Sequence, residues 1–251
     1  MPQPTASDPA LATSPVSAAT INLLRTAGTA TICSQLAKRG LHRTFLLGPR
    51  PLRPGERMVG VAFTLRYVPF REDIDPGLAY DNEQSLQRLA IERIGPGEVL
   101  VIDARGDISA GTLGNILAAR VRARGGAGIV TDGAFRDAAQ VAAEPFPTFC
   151  QAANARLSSS VHHPVEMQTV IGCGGVMVVP GDLVVGDDDG VVVIPRSIAA
   201  EIAEAAAAQE GLEDFLLTQI RAGAPLLGTY PPNAAMVASY ERRTRDGDKI
   251  V

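Results

Sequence analysis

Residues 128–140, "GIVTDGAFRDAAQ", set an arginine and an aspartate side by side just after an apolar run breaks at Asp132-Gly133. An Asp-Gly turn there leaves Arg136 and Asp137 at the start of a helix, where backbone N–H groups lack partners and the helix dipole favours anions. A guanidinium fork in that position suits a substrate carboxylate. The adjacent aspartate points elsewhere and suits a hard divalent metal held through oxygen. The bland alternative is that Asp137 only complements the helix N-terminus and Arg136 is a surface residue. Local pattern leaves both open.

Other stretches carry weaker chemistry. The loop "SAGTLGN" (109–115) has two glycines before a helix, but no Lys-Ser/Thr follows and the GxGxxG spacing is absent. Its free amides are able to receive a carboxylate or enolate oxygen, although strand-to-helix turns use glycine in any case. His162 and His163 are adjacent on an extended segment, so they point to opposite faces and do not chelate one ion together. One is expected to be buried or hydrogen-bonded and the other solvated, with a role at a subunit-contact site as the lesser alternative. "GDDDGV" (186–191) lacks the alternating ligands of a calcium loop and reads as a hairpin turn. Cys173 in "GCGG" reads as a small buried thiol.

The elements that must position these residues follow a strand–helix rhythm. Residues 18–38 predict one or two short helices broken near Gly28, and 61–70 an extended run. A charged loop follows at 71–81, then a helix over 82–94. Buried strands at 97–104, 126–133 and 146–151 alternate with helices at 115–124 and 135–144. That pattern implies βαβ units and a parallel sheet, with ligands near the strand C-termini, where "DARGD" and "DGAFRD" fall. Residues 170–195 change to Val-rich strands cut by Gly-Gly, Pro-Gly-Asp and Asp-Asp-Gly turns, the pattern of antiparallel hairpins. A long helix over 197–222 is expected to start with Ser197 as its N-cap and stop near Gly223. The tail beyond it wraps a neighbouring surface or frays.

Composition bounds the function. The chain has 251 residues and a formal charge of −4, with Lys and Arg dispersed, which gives no support to capture of nucleic acid or an anionic membrane. No apolar run approaches the roughly 20 residues needed to cross a bilayer. Three widely spaced cysteines without a CxxC pair argue against a disulfide scaffold or structural zinc and fit a reducing cytoplasm. With no Trp, four Tyr and seven Phe, the core must be aliphatic. The expected organisation is a disordered leader (1–16), one α/β domain (17–223) and a C-terminal extension (224–251).

In combination, "GTLGNILAARVRARGGAGIVTDGAFRD" and "GGVMVVPGDLVVGDDDGVVVIP" resemble the RraA-like proteins over roughly residues 20–220. That group includes metal-dependent 4-hydroxy-4-methyl-2-oxoglutarate aldolases and regulators of RNase E. The resemblance implies an αββα sandwich related to the phosphohistidine (swivelling) domain, assembled as trimers or hexamers with sites between subunits. It also implies roles. Arg136 binds the carboxylate of a 2-oxo acid, Asp137 holds Mg²⁺ or Mn²⁺, and the loop at Gly114, Asn115, Ile116 and Leu117 receives the remaining substrate oxygens. Where the family's aldolases carry an upstream carboxylate, this chain has Asn115, and Gln140 stands where family members often carry Glu or Asp. A further family carboxylate comes from the neighbouring subunit's C-terminal helix, a place open to Glu210 or Glu213.

The activity so implied is a metal-dependent lyase that forms a pyruvate enolate, by decarboxylating oxaloacetate, by cleaving 4-hydroxy-2-oxo acids, or both. Asparagine takes no proton at neutral pH, so Asn115 weakens aldol cleavage more than decarboxylation. The rival is a non-catalytic regulator that binds an RNA-degradation enzyme; retention of Arg-Asp at 136–137 favours the enzyme. A third reading is a sugar-acid lyase or dehydratase, with Arg71 in "PFREDID" (69–75) shaping a pocket for a longer substrate; an exposed charged loop is the plainer and preferred reading of that stretch.

Overall fold

Side-chain alternation along the strands decides the architecture. The structure, a computed structural model, describes residues 16–75 and 84–245. In chain order the elements are α1 (Ala18–Thr26), α2 (Thr29–Ala37), β1 (Arg50–Pro51), β2 (Met58–Pro69), α3 (Leu86–Arg93), β3 (Glu98–Asp103), α4 (Asn115–Ala123) and β4 (Gly128–Thr131). There follow β5 (Ala134–Phe135), α5 (Ala138–Ala143), β6 (Thr148–Cys150), β7 (Ala152–Ala153), β8 (His162–Met167), β9 (Ile171–Cys173), β10 (Val176–Val178), β11 (Leu183–Asp187) and β12 (Gly190–Ile194). The long α6 (Ala199–Arg221), the short α7 (Leu226–Thr229) and α8 (Ala234–Arg245) complete the described chain.

The main sheet runs β1-β6-β4-β3-β2-β11-β12, with β8 added on β2. β6, β4, β3 and β2 are parallel, as the strand–helix rhythm requires. The hairpin β11–β12 joins antiparallel. The sheet curls until its two edges meet, where Arg50 on β1 donates to the carbonyl of Asp189 in the β11–β12 turn.

Three buried clusters follow from this curl. Met58, Ala62, Val99, Val101 and Val184 point inward, where the β9–β10 hairpin fills the interior. Their alternates Phe63, Leu65, Leu100 and Ile102 point outward beneath α3, α4 and α5. On the other half, Val59, Leu183, Val185 and Val192 support α1, α2 and α6. The two halves of the curled sheet are thus the two β layers of the αββα sandwich. Each fully buried aliphatic side chain contributes about 1.5–3 kcal/mol, so two-sided burial explains why these strands read as continuous Val-rich runs.

Several boundaries differ from expectation, each for a local reason. α6 begins after a 3₁₀ turn at 196–198 with Ile198 as its N-cap, so Ser197 does not cap it. The chain enters that turn with the Arg196 amide on the Asp182 carboxylate. The helix predicted over 135–144 shrinks to α5, because Ala134–Phe135 pairs instead with Ala152–Ala153. α8 does not fray: Tyr240 packs on Phe215 of α6 at 5.6 Å between ring centroids, and Arg243 lies over the same ring. The leader (1–15), the loop residues 76–81 and the end of the tail lie outside the described residues. Among the described residues no helix is long and apolar enough to cross a membrane.

Candidate functional site

The loop joining β3 to α4 folds over the segment that follows β4. Gly111 bridges to Ala134, the Thr112 amide donates to the Ala134 carbonyl at 2.7 Å, and the Arg136 amide donates to the Leu113 carbonyl at 2.9 Å. Contact this close explains both glycines of the loop. A Cβ on Gly111 would sit 2.4 Å from Arg136 Cγ and 2.6 Å from its amide nitrogen; one on Gly114 would sit 2.6 Å from Asp137 Oδ2. The glycines are therefore required by proximity to the Arg-Asp pair rather than by turn geometry.

The pair itself is uncommitted. Arg136 is half-buried, its Nε is enclosed without an acceptor, and among the described residues its guanidinium makes no ion pair. A buried polar group left unsatisfied in a folded chain calls for an explanation, and a ligand acceptor supplies one. Asp137 stands as the N-cap of α5 with φ 52° and ψ 36°, in the left-handed region, and its side chain makes no capping bond. Instead its Oδ2 lies against Gly114, the N-cap of α4. There the Ile116 amide is taken by Asn115 Oδ1 at 2.9 Å, while the amides of Asn115 and Leu117 have no acceptor within the helix. The structure thus brings together Arg136, Asp137 and Gly114, with Asn115 and Leu117 following in the first turn of α4. Ile116, 78% exposed, presents its side chain to solvent beside them.

The donor set fits a hard divalent ion. Asp137 offers a free carboxylate, and Mg²⁺ or Mn²⁺ keeps several waters and is held by one or two carboxylates plus substrate oxygens. Among the described residues no group of three His, Cys, Asp or Glu is assembled that could cage a metal. Neither candidate helix carboxylate is free: Glu210 accepts from the Gly28 amide at 2.7 Å, and Glu213 from Gln209 Nε2 at 2.7 Å. Gln140 is exposed.

Two buried carboxylates have a tethering role that the sequence does not show. Asp132 accepts from the amides of Ala104, Gly106 and Gly174 at 2.8, 3.0 and 3.2 Å, and Asp103 from that of Arg105 at 2.9 Å. Burial pushes the Asp132 carboxyl up, and Asp103 nearby adds to the effect. Asp132 is more than half of an Asp-Gly turn: it ties the strand ends together and so fixes the loop. Cys173 is the buried thiol expected, pushed well up by burial.

The histidines are both held. His162 is buried, stacks on Tyr67 at 5.4 Å and lies 3.4 Å from the Ala110 carbonyl through Nε2. His163 is not solvated; its Nδ1 pairs with the buried Asp75 carboxylate. Burial, with Arg105 nearby, holds His162 below the usual imidazole range. A depressed native value means that the unfolded chain binds more protons as pH falls below about 6.5, so stability present above that pH is lost on acidification. His162→Phe keeps the ring stack and removes the titration. Its urea midpoint is expected to fall less between pH 7.5 and 5.0 than that of the unaltered protein; equal falls would refute the assignment.

Comparison with known proteins adds the following. Residues 29–193 match the family model RraA-like, described as Aldolase/RraA. A protein of Halalkalibacterium halodurans named "Putative 4-hydroxy-4-methyl-2-oxoglutarate aldolase" is 36% identical over 147 residues, which are 59% of this chain and 64% of that protein. Protein DlpA of Legionella pneumophila is 28% identical over 72% of this chain and 28% of its own length. The chain therefore spans less than two thirds of either relative. The crystal structure of Streptomyces coelicolor RraAS2, described as an unusual member of the RNase ES inhibitor RraA protein family, superposes with TM-score 0.71 at 36% identity, covering 80% of this chain and 97% of that one. An uncharacterized Pseudomonas syringae protein gives TM-score 0.77 at 27% identity over 86% and 95%.

Proposed function

The chain belongs to the RraA-like family, and from that premise we propose that it is a divalent-metal-dependent carbon–carbon lyase acting on a 2-oxo acid through a pyruvate enolate. One observation carries this reading: an uncommitted guanidinium at Arg136 beside an uncommitted carboxylate at Asp137, both at the open N-terminus of α4. Arg136 grips the acid's carboxylate and orients it so that the breaking bond stands out of the enolate plane. The amides of Gly114, Asn115 and Leu117 offer donors to oxygens that gain charge. Asp137 would hold Mg²⁺ or Mn²⁺, which when bound supplies Lewis-acid stabilisation of that charge. An assembly of trimers or hexamers, with a neighbouring subunit closing the site, fits the exposed Ile116 beside it.

Decarboxylation asks little more of the protein. The bonding pair of the departing carboxylate moves into the 2-oxo group, CO₂ leaves, and a proton from water completes pyruvate. Aldol cleavage also needs a base for the hydroxyl proton, a role worth roughly 10²–10⁴-fold. Asn115 cannot fill it, and its Oδ1 is bonded to the Ile116 amide. Pyruvate release from oxaloacetate should therefore exceed that from 4-hydroxy-2-oxo acids. Asn115→Asp should raise the latter by about tenfold or more, as a restored base requires, while changing the former less. An unchanged cleavage rate would count against Asn115 as the cause.

The likeness to RraAS2 supports a rival, a regulator that acts through protein contact without catalysis. It predicts no metal-dependent turnover of any acid in the same assay.

A further inference from the structure

The glycines that admit Arg136 and Asp137 leave the loop before α4 in need of support. Gly111 and Gly114 have no side chains with which to anchor it, and glycine gives a backbone more freedom than any other residue. The anchor is Thr112, fully buried between them. Its amide and its hydroxyl both donate to the Ala134 carbonyl, at 2.7 and 2.9 Å. Its carbonyl accepts from Gln87 Nε2 on α3 and, at 3.2 Å, from the Tyr67 hydroxyl on β2.

Gln87 Nε2 also donates to the Tyr67 oxygen at 2.8 Å, so the three groups close a ring of hydrogen bonds. The ring is complete. The amide nitrogen gives one hydrogen to each partner, the hydroxyl gives its own, and the carbonyl receives on both lone pairs. Tyr67 is 1% exposed, with its ring stacked on His162. Burial pushes its hydroxyl well up, so it stays a donor at every physiological pH. From Thr112 the contacts run straight to the Arg-Asp pair. Leu113, next in the chain, accepts the Arg136 amide at 2.9 Å, and Gly114 lies against Asp137 Oδ2.

We propose that Gln87 and Tyr67 are positioning residues of the candidate site: by clamping the Thr112 carbonyl they set where the α4 amides and Asp137 stand relative to Arg136. The expected effect on turnover rests on the lyase reading; the hold on the loop does not.

The test uses the full chain carrying Gln87→Met, which keeps the length of the side chain without its donor, Tyr67→Phe, which keeps the ring stack, and the two combined. Each single variant leaves Thr112 one donor and the combined variant leaves none. With Mg²⁺ and oxaloacetate, kcat is expected to fall about threefold to tenfold in each single variant. In the combined variant it should fall about a hundredfold, the scale of a misplacement near 1 Å. KM, set by the grip of Arg136, should stay within about threefold. Ile91→Ala is the control, because it loosens α3 from the core and leaves the clamp intact; its kcat should stay within about twofold.

Hydrogen exchange gives a readout that needs no turnover. The Thr112 and Arg136 amides should exchange at least about tenfold faster in the combined variant, while those of Leu100 and Ile102 on β3 speed up no more than in Ile91→Ala. If the unaltered protein shows no metal-dependent turnover, the lyase reading fails, and faster exchange at Thr112 and Arg136 still upholds the clamp. Unchanged exchange at those two amides overturns it in either case. So does a combined variant that keeps the kcat of the unaltered enzyme, or an equal loss of kcat in Ile91→Ala.

Discussion

Replacing Arg136 with alanine should lower kcat/KM for Mg²⁺-dependent pyruvate release by at least about a hundredfold, the scale on which a preorganised charge donor acts. The Nε of Arg136 is enclosed without an acceptor, a cost that a bound carboxylate would relieve. Arg136→Lys should recover little, because an ammonium cannot present two parallel donors to a carboxylate. Asp137 permits a sharper test. Its left-handed backbone is strained for any side chain but glycine, by about 1 kcal/mol, and its carboxylate caps nothing. Asp137→Gly should therefore leave stability unchanged or raise it by up to about 1 kcal/mol while abolishing metal dependence. A structural aspartate would behave in the opposite way, with stability falling and turnover kept. Urea denaturation and the pyruvate assay on one preparation decide between them.

The loop glycines should separate folding from chemistry. An alanine at 111 drives its Cβ into the Arg136 amide and to 3.0 Å from the Asn154 carbonyl, both backbone atoms that cannot swing aside. Gly111→Ala is expected to cost about 2–3 kcal/mol, the range of overpacking in a closed interior, and to lose activity with it. Gly114→Ala comes too close only to the carboxylate end of the Asp137 side chain, and meets Arg136 Cβ at an ordinary contact distance of 3.6 Å. It has extended backbone, φ −120°, which alanine adopts freely, so its stability should change by less than about 1 kcal/mol, the scale of an N-cap exchange. Turnover should still fall at least about tenfold, an activation-energy loss near 1.4 kcal/mol, because the carboxylate is displaced. Equal destabilisation of both variants would mean that the loop is packed differently from the structure described.

Much of this was legible in the residues. Gly28 marked the break between the first two helices, Gly223 the end of α6, and the Asp-Asp-Gly turn the β11–β12 hairpin, because turn and cap chemistry is local and a few dihedrals decide it. The parallel order β6-β4-β3-β2 followed from the strand–helix rhythm. The length of α5 and the cap of α6 are not legible, since the pairing with residues 152–153 and the bond from the Arg196 amide to the Asp182 carboxylate reach across the sequence.

The sequence by itself determined the identity of the reactive groups: an arginine next to an aspartate, a glycine loop upstream, and asparagine where a proton acceptor is wanted. Only the tertiary structure decided that the glycine loop touches the arginine and the aspartate, that the glycines are there to admit Arg136 and Asp137, and that His163 is bound to Asp75. Residue type carries intrinsic chemistry, such as pKa, donor count and backbone freedom. Proximity between residues 20 to 90 positions apart comes from the curl of the sheet, which is set by burial on both faces at once and is written in no single stretch of the chain.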